Sequence, residues 1–187
     1  MKIAVLGWGS LIWDRRDLPI VGEWQHGGPI LPIEFSRISS NGRLTLVIDE
    51  EHGADVPTRY ARSAGGSLTD AIDGLWNREG RPPRDRIGFV NLVSDTEQDW
   101  SRQRHPAACD RIKAWARAQN WEAVVWTALI SNFSEKRGES YSSEAAARYF
   151  SDLTGETRIR AAEYVGKAPQ EVDTPFRRLV AAAARPQ

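Results

Sequence analysis

The hydrophobic pattern of the first half of the chain changes rhythm several times, and each change predicts an element. Residues 3–6 form a short apolar run closed by Gly7 and Gly9, the signature of a buried first strand. The polar cluster around Asp14 and Asp17, followed by Pro19, predicts irregular chain, as does the stretch bracketed by Pro29 and Pro32. Residues 33–38 and 43–48 read as two strands joined at Asn41-Gly42, a strong hairpin signal. Residues 56–62 read as a further strand, with Pro57 near its start. The pattern then shifts to a helical period over 67–79. Ser67 and Asp70 stand at near capping-box spacing, and Gly80 with Pro82-Pro83 ends the run.

Beyond that helix, residues 87–93 predict a strand and 95–120 predict helix on both sides of Pro106. Ala108, Ile112 and Trp115 share one face there. The unbroken apolar run 123–130 predicts a central strand. The remainder is helical: 143–153 stopped by Gly155, 158–165 stopped by Gly166, and a last helix opening at Thr174-Pro175. With no repeat and no linker-like break in composition, the expectation is one α+β domain over 1–187.

Composition narrows the function classes. The 187 residues are 41% hydrophobic and 27% charged, which is too apolar for disorder, while no apolar run is long enough to span a bilayer. Twenty-five basic residues balance 25 acidic ones, so no net field gathers nucleic acid or an anionic membrane. Arg102 and Arg104 beside Trp100 are interleaved with acids, which argues against a single-strand binding track. No secretory leader is visible, and the one cysteine, Cys109, has no internal disulfide partner. These features predict a cytoplasmic protein without a membrane or nucleic-acid partner. His26, His52 and His105 do not stand at metal-ligand spacing.

The most informative side chain is Glu79. At 100° per residue, Leu68, Ile72, Leu75 and Trp76 fall at about 0°, 40°, 340° and 80°, and Glu79 at about 20°. The carboxyl therefore follows the apolar stripe, in the last turn of the helix. Desolvation and the helix dipole both favour its uncharged form there and make it a better proton acceptor. The competing reading is a helix that frays early, leaving Glu79 paired with Arg78 or Arg81 in water.

A second candidate is the loop Gly7-Trp8-Gly9-Ser10-Leu11 after the first strand. Two glycines beside a small polar residue can aim consecutive amides into one concavity suited to an anion. A dinucleotide fingerprint fails because Ile12 occupies the third glycine position, and a phosphate-binding P-loop lacks its Gly-Lys. The plain alternative is a tight turn with Trp8 and Trp13 packed in the core. Arg37, between strand residues, either points inward toward a carboxylate or lies on the surface.

Two separated segments carry a resemblance. Gly9-Ser10-Leu11-Ile12-Trp13 resembles the Tyr-Gly-Ser-Leu-Ile-Trp loop of the ChaC-type branch of the γ-glutamylcyclotransferase-like superfamily. Leu75-Trp76-Asn77-Arg78-Glu79 resembles its Leu-x-x-Arg-Glu. Between them, Glu34-Phe35-Ser36-Arg37 and Gly42-Arg43-Leu44-Thr45-Leu46 are similar to its Gly-Tyr-x-Arg segment and following strand. Order and spacing agree over residues 2–93. Trp8 replaces the usual tyrosine, and 95–120 is a longer helical insertion than the family pattern.

The resemblance implies a small mixed β-barrel flanked by helices, with a pocket over the loop. It implies that Trp8, Gly9, Ser10 and Leu11 bind substrate and that Glu79 is the catalytic acid/base; Arg37, in its inward reading, is a further substrate-binding candidate. It further implies an enzyme that closes a γ-glutamyl group to 5-oxoproline and releases an amine or peptide, with no metal or redox cofactor. The alternative is an inactive small-ligand-binding module of the same fold.

Overall fold

The computed structural model describes residues 1–184. In chain order the strands are β1 (Ile3–Gly7), β2 (Ile20–Ile38), β3 (Leu44–Ile48), β4 (Ala54–Ser63), β5 (Ile87–Asn91), β6 (Thr96–Glu97) and β7 (Ala123–Thr127). The helices are α1 (Leu68–Arg78), α2 (Asp99–Arg104), α3 (Pro106–Ala118), α4 (Phe133–Arg137), α5 (Ser143–Asp152), α6 (Gly155–Lys167) and α7 (Pro175–Ala183). The strands form one mixed sheet in the order β3-β2-β4-β1-β7-β5-β6. This is the expected α+β class, but the sheet is open, which corrects the barrel implied by the resemblance. Closure needs two edge strands that can pair along their length. Here the ladder ends at β3 on one side and at β6, only two residues long, on the other. No helix among the described residues is long and apolar enough to cross a membrane.

The chain divides into two compact units. The first comprises Met1–Leu31 and Pro57–Leu129. At its centre β1 runs parallel to β7 (Val5↔Val125) and antiparallel to β4 (Leu6↔Tyr60), and β5 pairs antiparallel with β7 (Phe89↔Val125). All five residues of β1 are buried, so this strand reads as a continuous apolar run rather than an alternation. Its core joins Ile3, Val5, Leu11, Leu18, Ile87 and Val125 to Ala71 and Leu75 of α1. Gly88 is required by close packing: a Cβ there would lie 2.4 Å from the Trp126 indole. Pro106 separates α2 from α3 at the expected position, since it begins α3 where its missing N–H costs nothing.

The second unit comprises Pro32–Val56 and Ile130–Gln187. Its hairpin pairs Ile33↔Ile48 and Glu34↔Val47, then slips by a bulge before Arg37↔Thr45. Phe35 packs on Phe176 at 5.0 Å between ring centroids, and Phe150 meets Phe176 edge-on. Thr174 caps α7, accepting the Arg177 amide at 3.3 Å, and Pro175 opens that helix as its sequence predicts.

Three local expectations are corrected. β2 begins at Ile20 and runs through both Pro29 and Pro32. Proline lacks a donor but keeps its acceptor: the Pro29 carbonyl takes the Thr58 hydroxyl at 2.7 Å and the Pro32 carbonyl takes the Asp49 amide at 2.9 Å. Gly155 opens α6 at φ +57° instead of merely ending α5, and α6 continues through Gly166 to Lys167. The two-residue β6 and the five-residue α4 are too short for any periodicity to reveal.

Candidate functional site

The first unit brings the loop after β1 to the C-terminal end of α1. The strand ends at Gly7, where a Cβ would come within 2.8 Å of the Trp24 ring. The chain then coils into one tight turn: Ile12 N donates to the Gly9 carbonyl at 3.0 Å and Asp14 N to the Ser10 carbonyl at 2.8 Å. The amides at the start of this turn, Ser10 and Leu11, donate to no acceptor among the described residues. The side chains of Trp8 and Leu11 are buried apolar groups, and Leu11 belongs to the core of the unit. What these two residues offer a ligand is therefore backbone.

α1 starts with a complete capping box: Ser67 Oγ accepts the Asp70 amide at 3.1 Å and Asp70 Oδ2 accepts the Ser67 amide at 3.0 Å. It stops in a Schellman motif. Gly80, at φ +79°, donates to the Asn77 carbonyl at 3.1 Å, and Arg81 donates to the Trp76 carbonyl at 2.9 Å. Both ends are thus fixed by hydrogen bonds, so the rotation of Arg78 and Glu79 about the helix axis is fixed too.

The sequence names Arg78 only as a solvent-exposed partner for Glu79; its burial and its reach to the loop are new. The buried face of α1 is Ala71, Leu75 and Arg78, spaced i, i+4, i+7. That spacing was available in the sequence, but a guanidinium does not register as apolar. Arg78 Nη1 donates to Glu79 Oε1 at 2.6 Å, and Nη2 donates to Ser10 Oγ at 3.2 Å and to the Asp14 carbonyl at 2.5 Å. Its Nε is buried and unpartnered among the described residues. The Arg78 carbonyl in turn accepts Arg16 Nη1 at 3.3 Å.

Glu79 is the C-cap of α1. Its side chain is only 14% exposed and that of Arg78 5%, so this pair is sheltered from water. Elements of both sequence readings are present: the carboxylate is tucked in, and it is paired with Arg78. Its Oε1 is held by Arg78, while Oε2 accepts no hydrogen bond from the described residues. The result is a carboxylate with one fixed and one available oxygen, tied through a single guanidinium to a turn whose leading amides are unused. Such a constellation can accept a proton at one point and hold an anion at another.

Arg37 lies in the second unit, half-buried on β2, where Nη1 donates to the Ile130 carbonyl at 2.9 Å. The second unit also contains a charge that composition did not suggest. Glu34 is fully buried, accepting the Phe35 amide at 2.7 Å and the Phe176 amide at 3.4 Å. Burial pushes its carboxyl above the ordinary 4.5, against the lowering effect of bonds to Thr174, Phe35 and Phe176. Burial likewise raises the nearby Tyr141 phenol, with the charges of Glu34 and Asp49 adding to it.

No protein-family model matches the chain, and comparisons with curated proteins and with solved structures give no match.

Proposed function

We propose that the chain is a γ-glutamylcyclotransferase-like enzyme that converts a γ-glutamyl amide into 5-oxoproline and a free amine. The observation that carries this reading is the Arg78 bridge, which ties the Glu79 carboxylate to Ser10 and Asp14 of the glycine loop. Both motifs of the family resemblance therefore meet at one guanidinium.

In this reading the substrate's α-ammonium gives a proton to Glu79 Oε2, and the freed amine attacks the γ-carbonyl carbon. A C–N bond forms in a five-membered ring, and Glu79 passes its proton to the leaving nitrogen and takes a second one from the ring nitrogen. The C–N bond to the leaving amine breaks, and the second proton goes to the departing amine, which leaves as an ammonium. Ring closure within one molecule already has high effective molarity, so the protein's task is to hold the bent conformer and relay protons from the ring nitrogen to the leaving nitrogen. The Ser10 and Leu11 amides receive the oxyanion that develops on the carbonyl, or the substrate's α-carboxylate. Arg78 holds Oε1 and leaves Oε2 for the proton.

The test is a panel of γ-glutamyl amino acids, peptides and amines, with 5-oxoproline followed by mass spectrometry. Turnover of at least one member is expected, falling about 100-fold or more in Glu79→Gln, whose amide oxygen still accepts from Arg78. An unimpaired Glu79→Gln enzyme removes Glu79 from the chemistry. Silence across the panel, with a γ-glutamyl compound still bound, transfers the chain to the binding-module reading.

A further inference from the structure

The second unit contains a cavity of about 390 Å³ between α5, α6 and α7. Its origin is legible in the helices. α6 presents Arg158, Ala162, Val165 and Gly166 to it, at i, i+4, i+7 and i+8, and α7 presents Arg177, Val180, Ala181 and Ala184, at i, i+3, i+4 and i+7. Each helix thus turns a face of small residues toward its neighbours, and alanine and glycine leave unfilled the space that leucines would occupy. Ala147 and Phe150 of α5 complete the apolar wall.

Two guanidinia and the Ser151 hydroxyl stand in this mostly apolar lining, and no acidic side chain among the described residues lines it. Arg158 lies over the Phe150 ring at 4.1 Å and donates Nη1 to the Phe150 carbonyl. Arg177 spends Nη1 and Nη2 on the carbonyls of Ala168, Pro169 and Val172, at 2.5–2.9 Å. All these acceptors are neutral, and neither arginine forms an ion pair among the described residues. Asp173, four residues before Arg177, is held instead by Arg178 at 2.8 and 3.0 Å. Arg158 therefore stands without an ion pair among the described residues, and Arg177, though attracted by the charges of Asp173 and Glu171, stands beside it at the edge of an apolar space of the size that small molecules occupy.

We infer that this cavity binds an amphipathic monoanion, a single carboxylate on a hydrocarbon body of medium length. The carboxylate meets Arg158 through the N–H groups it does not give to Phe150, with Arg177 adding charge. The hydrocarbon fills the space lined by Ala147, Phe150, Ala162 and Val165. A carboxylate suits a guanidinium fork, and an alkyl body replaces the contacts that the small residues leave unmade. The site lies wholly within the second unit and does not depend on the reaction proposed for Glu79.

Titration calorimetry of the full chain with decanoate, decanol and decylamine tests it. Decanoate is expected to saturate one site per chain, at least tenfold more tightly than either decanol or decylamine. Arg158→Gln should weaken decanoate at least tenfold. Gly166→Leu supplies an independent test that does not threaten the fold. A Cβ at Gly166 meets nothing within 4 Å, and leucine is the better helix former. This variant should fold as judged by circular dichroism, melt no lower than the parent, and lose decanoate binding. No saturation by decanoate overturns the proposal, as do equal affinities for decanoate and decanol or undiminished binding by a folded Gly166→Leu chain.

Discussion

Arg78 determines what Glu79 can do, because among the described residues it is the one cation in contact with that sheltered carboxylate and also the link to Ser10 and Asp14. Removing one member of a buried pair leaves the other charge desolvated, which costs more than the pair itself contributes. Arg78→Ala is therefore expected to destabilise the protein by roughly 3 kcal/mol, with Glu79 left facing an empty site. Adding Glu79→Gln to that variant should recover part of the loss, so the two substitutions will be non-additive in urea unfolding. Additive effects would mean that the 2.6 Å contact carries no coupling. The carboxylate's inward direction was readable from the 3.6-residue period. The guanidinium's was not, because hydrophobic pattern gives no weight to a charged side chain whose partners come from a loop 64 to 68 residues earlier.

At the scale of elements, local chemistry was legible wherever a short motif decides it, and hidden wherever tertiary contacts do. The start of α1 at Ser67, its stop at Gly80, the break at Pro106 and the Thr174-Pro175 entry to α7 each depend on residues within one turn. The passage of β2 through two prolines is accompanied by donors from elsewhere in the chain, the Thr58 hydroxyl and the Asp49 amide, and no local rule reports it. The openness of the sheet escaped for a related reason, since closure is a property of the last strands and not of any one pattern. Because the α1 capping box satisfies two amides reciprocally, Ser67→Ala should lower stability by about 1 kcal/mol, and Ser67→Asp should restore most of it. Unfolding midpoints that leave Ser67→Ala level with the parent would show that tertiary packing alone sets the start of this helix.

For the whole molecule, carboxylates act on stability in two opposite senses. Asp173, held by Arg178, and Glu163, held by Lys167, lie below their ordinary values, so their contribution is present above the unfolded range and fades as acid titrates them. Glu34 is the reverse case. Burial raises its folded value above 4.5, so between that figure and the raised value the folded chain binds more protons than the unfolded one. Stability must then fall as pH rises through this window, and the full cost of an ionised, desolvated Glu34 is present above it. Asp49 adds to the cost by repulsion, and the Tyr141 phenol packs against the same region without offering a compensating charge. The bonds from Phe35, Phe176 and Thr174 oppose it, and they also tie β2 to the first turn of α7. Glu34→Gln keeps a carbonyl acceptor for those donors and removes the titration. Its stability relative to the parent should hold steady below pH 4.5 and then improve progressively toward neutrality, as measured by urea unfolding at a series of pH values. Parallel profiles for the two proteins would mean that Glu34 does not change its charge in this window. The acid sits on the bulged segment of β2 and accepts the Phe176 amide in the first turn of α7, so the same substitution tests whether an uncharged acceptor holds that contact as well as a carboxylate does.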